Sequence, residues 1–218
     1  MTLELDHLIV AATDLDRGEA WLLERLGVPL APGGQHVGVG THNRLLQLGH
    51  GVYLELIAAD PTQPAPRRPR PFLLDDPAMQ ERLAEGPRLV HWVVRARAGA
   101  LEHALAALRY VPGPVTPMTR GALRWRITVP ADGRPAAQGL LPTVIEWDVP
   151  ADAHPAARLP EAGVRLVSFE VRAPAAVLAQ RPEVSSPVPL RWTESAAAGL
   201  AATFDTPRGR VAIEGAAA

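Results

Sequence analysis

The sequence contains no cysteine and no lysine; all 22 basic residues among its 218 are arginine. Without thiols there are no disulfides, thiolate nucleophiles, zinc–thiolate centres or iron–sulfur clusters. Without lysine there is no Schiff base, no pyridoxal-phosphate anchor and no phosphate-loop lysine. Serine (4) and tyrosine (2) are scarce, so chemistry falls to a short list headed by seven histidines and 23 acidic residues. A net charge of −1 offers no electrostatic surface to a nucleic acid. No run of 18 apolar residues exists to span a membrane, and the acidic start Met1-Thr2-Leu3-Glu4-Leu5-Asp6 is unlike a signal peptide. A cytoplasmic protein is the expectation. No Gly-x-Ser-x-Gly elbow, dinucleotide fingerprint or phosphate loop is present, which argues against hydrolase, dehydrogenase and kinase chemistry.

What is present is a globular composition, 47% hydrophobic with 37 alanines, long enough for one large or two small domains. Residues 3–12 read as a strand. A helix follows between the N-cap Asp14 and the stop Gly27. Pro32-Gly33-Gly34 and Gly38-Val39-Gly40 punctuate a loop, and strands at 43–48 and 52–58 flank the turn Gly49-His50-Gly51. Residues 61–71 hold five prolines and three arginines, an extended linker, and a short helix is expected over 77–85. The order then repeats, with a strand at 88–96, a helix at 99–109, and strands at 122–129 and 143–149. A third strand at 164–172 precedes a short helix and three more strand-like segments.

Three opening strands share a pattern: Leu5-Asp6-His7-Leu8-Ile9-Val10, Leu89-Val90-His91-Trp92-Val93-Val94 and Leu166-Val167-Ser168-Phe169-Glu170-Val171. Each unit closes on a strand with a glutamate among apolar residues, at Glu55, Glu146 and Glu214. The expected units are 1–60, a linker with its helix at 61–87, 88–150, and a degenerate third module with a tail at 151–218. A carboxylate buried among aliphatic side chains is costly unless paired or metal-bound. Two units each supplying one histidine and one glutamate would bring four nitrogen and oxygen ligands to a common point. Such a set suits a divalent ion: Zn, Ni, Fe, Mn or Co. The third unit has serine in place of histidine.

This plan resembles the vicinal oxygen chelate superfamily, which includes glyoxalase I, bleomycin-resistance proteins and extradiol dioxygenases, and within it the glyoxalase-like domain subgroup. The resemblance is carried by Leu5-Asp6-His7-Leu8-Ile9-Val10, Gly40-Thr41-His42-Asn43, Tyr53-Leu54-Glu55-Leu56-Ile57-Ala58, His91-Trp92, Leu123-Arg124-Trp125-Arg126, and Ile145-Glu146-Trp147 with His154-Pro155 after it. It implies an α+β fold of repeated βαβββ modules, their curved mixed sheet wrapped around a cleft. It also implies metal ligands at His7, Glu55, His91 and Glu146, with Glu55 or Glu146 as a proton-transferring base. The activity implied is a metal-dependent lyase or isomerase acting on a small oxygenated substrate. A metal-free protein that sequesters a small molecule, of bleomycin-resistance type, is the alternative, and an extradiol-type dioxygenase a further one. A small-molecule partner is expected, with no nucleic acid and no membrane; a homodimer is compatible with all of this.

Each nomination has a plainer counterpart. His7 and His91 read equally as buried histidines bonded to backbone, and Glu55 and Glu146 as partners of arginines such as Arg44 or Arg124. His42 and Asn43 read as pocket or turn-capping residues. Arg124 is a candidate anchor for an anionic substrate, on the strand face opposite Trp125. Trp92, Trp125 and Trp147 read as core before pocket lining. His36 and His50 are expected in exposed loops, His103 on the polar side of a helix, and His154 in a turn ending the second module.

Overall fold

The computed structural model describes residues 3–217. Strand β1 (Leu3–Ala11) runs into helix α1 (Leu15–Leu26), and strands β2 (Ala31–His36), β3 (Thr41–Gln47) and β4 (Tyr53–Ala59) follow. Asp14 caps α1 by accepting from the Arg17 N–H at 2.8 Å, and Gly27 ends it with φ 76°. The sequence signals for this helix therefore hold at both ends. After the linker come α2 (Pro77–Glu85), β5 (Arg88–Arg95), α3 (Leu101–Ala106), β6 (Val115–Arg120), β7 (Leu123–Thr128) and β8 (Thr143–Trp147).

Among the described residues these strands form one sheet in the order β2-β3-β4-β1-β5-β8-β7-β6. In each module the first strand lies parallel to the last, and β1 joins β5 antiparallel between the modules. The two βαβββ units expected at the N-terminal and central parts of the chain are thus present, and the fold is α+β. The sheet curls until its edges approach: Arg120 at the end of β6 reaches Asn43 on β3, with its Nη1 donating to Oδ1 at 3.0 Å.

The β1–β5 seam carries the main departure from simple alternation. Leu5 and Leu8 both face the outer core although three residues apart. The register explains it: Leu5 pairs with Val94 and His7 with Val93, so Asp6 is an extra residue in a β-bulge. The same defect recurs across the seam, where Ile9 pairs with His91 and Val10 with Leu89, leaving Val90 extra. A bulge re-aims side chains. Each one here places a histidine on the concave face while keeping leucine or tryptophan on the convex face.

The convex face is covered by α1 and by a second sheet. That sheet comprises β9 (Arg165–Ala173), β11 (Leu190–Glu194), β12 (Gly199–Thr206) and β13 (Gly209–Ala216), in the order β11-β9-β12-β13. Short helices α4 (Pro155–Arg158) and α5 (Ala175–Leu178) precede and follow β9, and β10 (Val184–Ser185) pairs with the start of β1. The third module expected over 151–218 does not repeat the order of the other two. Its first strand lies between β11 and β12, not beside the last strand, and Glu214 sits on that edge strand paired with Arg172 at 2.9 Å. This segment serves as a cover: Phe169, Val171, Phe204 and Ile213 join Leu89, Trp92 and Val94 in one core. Trp92 packs edge-on to Phe169 at 5.3 Å and donates its indole N–H to the Leu140 carbonyl at 2.9 Å.

Contact between cover and sheet is closest at Gly215, where a Cβ would lie 1.8 Å from the Leu89 carbonyl oxygen. Backbone cannot yield as a side chain would. We therefore expect Gly215→Ala to cost about 1–3 kcal/mol. Thermal unfolding should show a loss of several degrees, whereas an unchanged melting temperature would mean that the cover is not docked in this way.

Candidate active site

The concave face encloses a cavity of about 80 Å³. Its wall is strongly divided. Ile9, Ile57, Phe72, Trp125, Ile145 and Trp147 make an apolar and aromatic side, while His7, His36, Asn43, Glu55 and Arg120 gather at one end. Strand alternation puts Glu55 and Tyr53 inside, between Leu54 and Leu56 facing outward.

His7 is the centre of the polar end. The bulge turns Asp6 inward beside it, and His7 Nδ1 meets Asp6 Oδ1 at 2.6 Å. Asp6 is wholly buried, and its second oxygen accepts from Trp147 Nε1 at 3.1 Å and from His154 Nε2 at 3.0 Å. Burial works to raise the Asp6 pKa, yet the hydrogen bonds from His154 and His7 hold it well below the usual carboxylate range. His7 Nε2 lies 3.4 Å from Glu55 Oε2, and the ring stacks on Tyr53 at 4.5 Å. Burial disfavours the imidazolium, but the hydrogen bonds to Asp6 and Glu55 outweigh it and lift the His7 pKa to about 9. Glu55 is pulled the other way. Burial raises its pKa, but the His7 contact, the nearby His36 and the Asn43 amide bring it down to about 2. At neutral pH the cavity end thus holds an imidazolium facing a carboxylate.

Asn43 organises the rest. Its amide N–H donates to Glu55 Oε1 at 2.6 Å, and its oxygen accepts from the Gly34 N–H at 2.9 Å and from Arg120 at 3.0 Å. A Cβ on Gly33 would fall 2.0 Å from that oxygen, so the Gly33-Gly34 pair is what lets β2 lie against Asn43. The sequence pattern puts these glycines in a loop; they are instead the irregular part of a strand, with a register break between Pro32 and Gln35. His36 therefore stands in β2 with its side chain 12% exposed, its Nδ1 2.9 Å from Thr41 Oγ1, and burial lowers its pKa. The expectation of an exposed loop histidine is corrected here.

The four-ligand set His7, Glu55, His91 and Glu146 is not brought together. His91 faces inward, but both its ring nitrogens are engaged: Nδ1 with the Gly139 carbonyl at 3.1 Å, Nε2 with the Thr143 N–H at 3.2 Å and hydroxyl at 2.9 Å. Burial keeps it neutral, with a pKa of about 3. Glu146 points to the convex face, where it accepts from the Ala100 and Leu101 N–H groups and pairs with Arg126. Register gives the reason. Glu55 pairs with Ile9, and the counterpart of Ile9 in the second module, Val93, pairs with Thr143. Thr143, not Glu146, stands where Glu55 stands, and an offset of three residues turns a strand side chain to the opposite face. Among the described residues no cluster of three or more His, Asp or Glu side chains is arranged to hold a metal ion. The residues present therefore do not fit a four-ligand metal centre, and Glu146 is not placed to act as a base in the cavity.

The substrate-binding nominations divide. Asn43 lines the cavity; His42, the preceding residue on β3, faces away and lies 4.0 Å from Asp60. Arg124 is exposed on the face opposite Trp125, and the cavity's guanidinium comes from Arg120 instead. Trp125 and Trp147 line the cavity while Trp92 belongs to the outer core. Arg120, His36 and the anchoring pair Asp6–His154 were missed. The Asp6-His7 dipeptide was visible, but alternation alone would have sent Asp6 to the other face.

The two histidines should titrate oppositely. The His7 contribution to stability is complete below its ordinary 6.5 and is lost as pH rises through about 9. His91 acts the other way: its stability is complete above 6.5 and declines as pH falls toward about 3. Nitrogen-15 ring shifts will read both, with His7 expected protonated and His91 neutral at pH 7; the reverse assignment would overturn this description of the site.

A family model for the glyoxalase-like domain matches residues 5–183. No protein of curated function matches the sequence. Among solved structures, a hypothetical protein from Staphylococcus aureus aligns at TM-score 0.52 and 15% identity, covering 79% of this chain and 70% of that one. Methylmalonyl-CoA epimerase from Mycobacterium tuberculosis aligns at 0.40 and 21%, covering 66% and 86%. A variant of the Streptomyces coelicolor methylmalonyl-CoA epimerase, in complex with 2-nitronate-propionyl-CoA, aligns at 0.38 and 15%, covering 67% and 94%. With a family model matched over most of its length, the chain belongs to the glyoxalase-like domain family.

Proposed function

We propose that the protein takes a small oxygenated molecule into the concave cavity and moves a proton on it, as an isomerase or lyase, with Glu55 as the base and His7 as a cationic hydrogen-bond donor. The observation that carries this reading is the buried His7–Glu55 pair at 3.4 Å, at the polar end of a cavity whose other side is apolar and aromatic. Burying two charges costs several kcal/mol, an arrangement suited to a site where charge develops during reaction.

The chemistry follows from the atoms in place. A substrate oxygen that accepts the His7 Nε2–H takes from Glu55 the first of the contacts that lower its pKa. Glu55 then becomes a stronger base. It removes a proton from the carbon adjacent to the carbonyl carbon; the C–H electron pair becomes a C=C bond and the C=O π pair moves onto the oxygen, where the imidazolium offsets the new charge. Returning the proton to either face or to a neighbouring atom gives isomerisation; expelling a group from the adjacent carbon gives elimination. Asp6 keeps Nδ1–H engaged, so Nε2 always faces the substrate. The divalent metal implied by the family resemblance enters no step, because His91 and Glu146 are committed elsewhere.

The rival reading, a metal-free binding protein of bleomycin-resistance type, is favoured by the low resting pKa of Glu55, about 2. Solvent exchange separates the two. In heavy water, a panel of small 2-hydroxy and 2-oxo carbonyl compounds is followed by proton NMR for loss of the carbon-bound hydrogen. We expect exchange catalysed by the wild type and reduced about 10²–10⁴-fold by Glu55→Gln. Ligand binding with equal exchange in wild type and variant would favour sequestration.

A further inference from the structure

One cation in the cavity is not used by this mechanism. Arg120 ends β6 and turns its guanidinium into the polar end, where Nη1 donates to Asn43 Oδ1 at 3.0 Å. Among the described residues no Asp or Glu oxygen reaches salt-bridge distance of it. The contrast with the other inward or flanking arginines is clear: Arg44 pairs with Asp16 and Glu19, Arg95 with Glu4, and Arg126 with Glu102 and Glu146.

The surrounding backbone and one amide hold Arg120 in place. A Cβ on Gly34 would meet the Arg120 Cδ at 2.6 Å, so the arginine stem rests on a glycine of the opposing edge strand. Asn43 fixes one nitrogen of the fork, and among the described residues the remaining N–H groups have no side-chain acceptor. A guanidinium presents its donors as a rigid plane that matches two carboxylate oxygens. Asn43 also stands between Arg120 and Glu55, bonded to both, so an acid group docked on Arg120 is separated from the base by one amide. The cavity beyond is apolar and small, about 80 Å³, with Trp125, Trp147 and Phe72 in its wall.

We propose that the ligand is a small carboxylate with a short apolar body, its acid group bound by Arg120 and its body against the aromatic wall. This deepens the proposed function, since it names the substrate class of the same cavity. It does not depend on catalysis. Arg120 sets which molecules enter, and Glu55 and His7 act on what has entered.

Binding tests it directly, using isovalerate and benzoate against their neutral amides isovaleramide and benzamide. Intrinsic tryptophan fluorescence and thermal shift supply the readouts, because Trp125 and Trp147 line the cavity. The carboxylates are expected to bind about tenfold to a hundredfold more tightly than the amides. Arg120→Gln should erase that preference, Arg120→Lys should keep part of it, and Arg124→Gln, on the outer face, should leave it intact. Equal binding of acid and amide, a preference that survives Arg120→Gln in a variant with unchanged melting temperature, or no binding of either acid up to tens of millimolar overturns the proposal. Arg120-dependent binding without any carbon–hydrogen exchange would overturn the proton-transfer reading and leave this one standing.

Discussion

The site depends on one contact, the 2.6 Å hydrogen bond between Asp6 and His7 inside the protein. Neighbours on a regular strand face opposite sides of a sheet and cannot bond in this way. The β-bulge at Asp6 makes the contact, and Trp147 and His154 hold the far side of the carboxylate. A buried carboxylate with three donors stays ionised, and an ionised Asp6 keeps His7 protonated despite its burial. From that cation follow the low pKa of Glu55 and the polarised end of the cavity.

The second module shows what the same backbone does without the carboxylate. Its bulge places Val90 where the first has Asp6, and Thr143 where the first has Glu55. His91 is then a neutral structural histidine, closed off by Gly139, Thr143 and the Phe72 ring at 5.2 Å. Two modules with nearly the same fold thus give one chemical half-site and one apolar wall. The cavity takes its direction from this difference: the His7–Glu55 pair and Asn43 come from the first module, the tryptophans and the Arg120 guanidinium from the second.

Much of the fold was legible in the sequence. Asp14 and Gly27 bound the first helix, the Gly49-His50-Gly51 turn joins two strands, and the two histidine-bearing strands announced the duplication. Site residues were legible only where alternation holds, as at Glu55 and Asn43. Glu146 misled because the motif around it matches that of Glu55 in letters, while the register sets it three residues further along the strand. His36 lies in an edge strand rich in glycine and proline, and Arg120 at the end of another edge strand, where close approach across the cavity leaves no periodic signal. Asp6 was hidden by its bulge. The third module shared a strand pattern with the other two, but its strands pair in another order.

That Asp6 makes His7 a cation is tested most directly by the His7 pKa in Asp6→Asn, read from imidazole nitrogen shifts in a variant that keeps the shape of the side chain. With the Asp6 charge gone, Glu55 alone is left to oppose burial, and the His7 pKa should fall from about 9 toward or below the ordinary 6.5. A His7 that still titrates near 9 in that variant would contradict the claim.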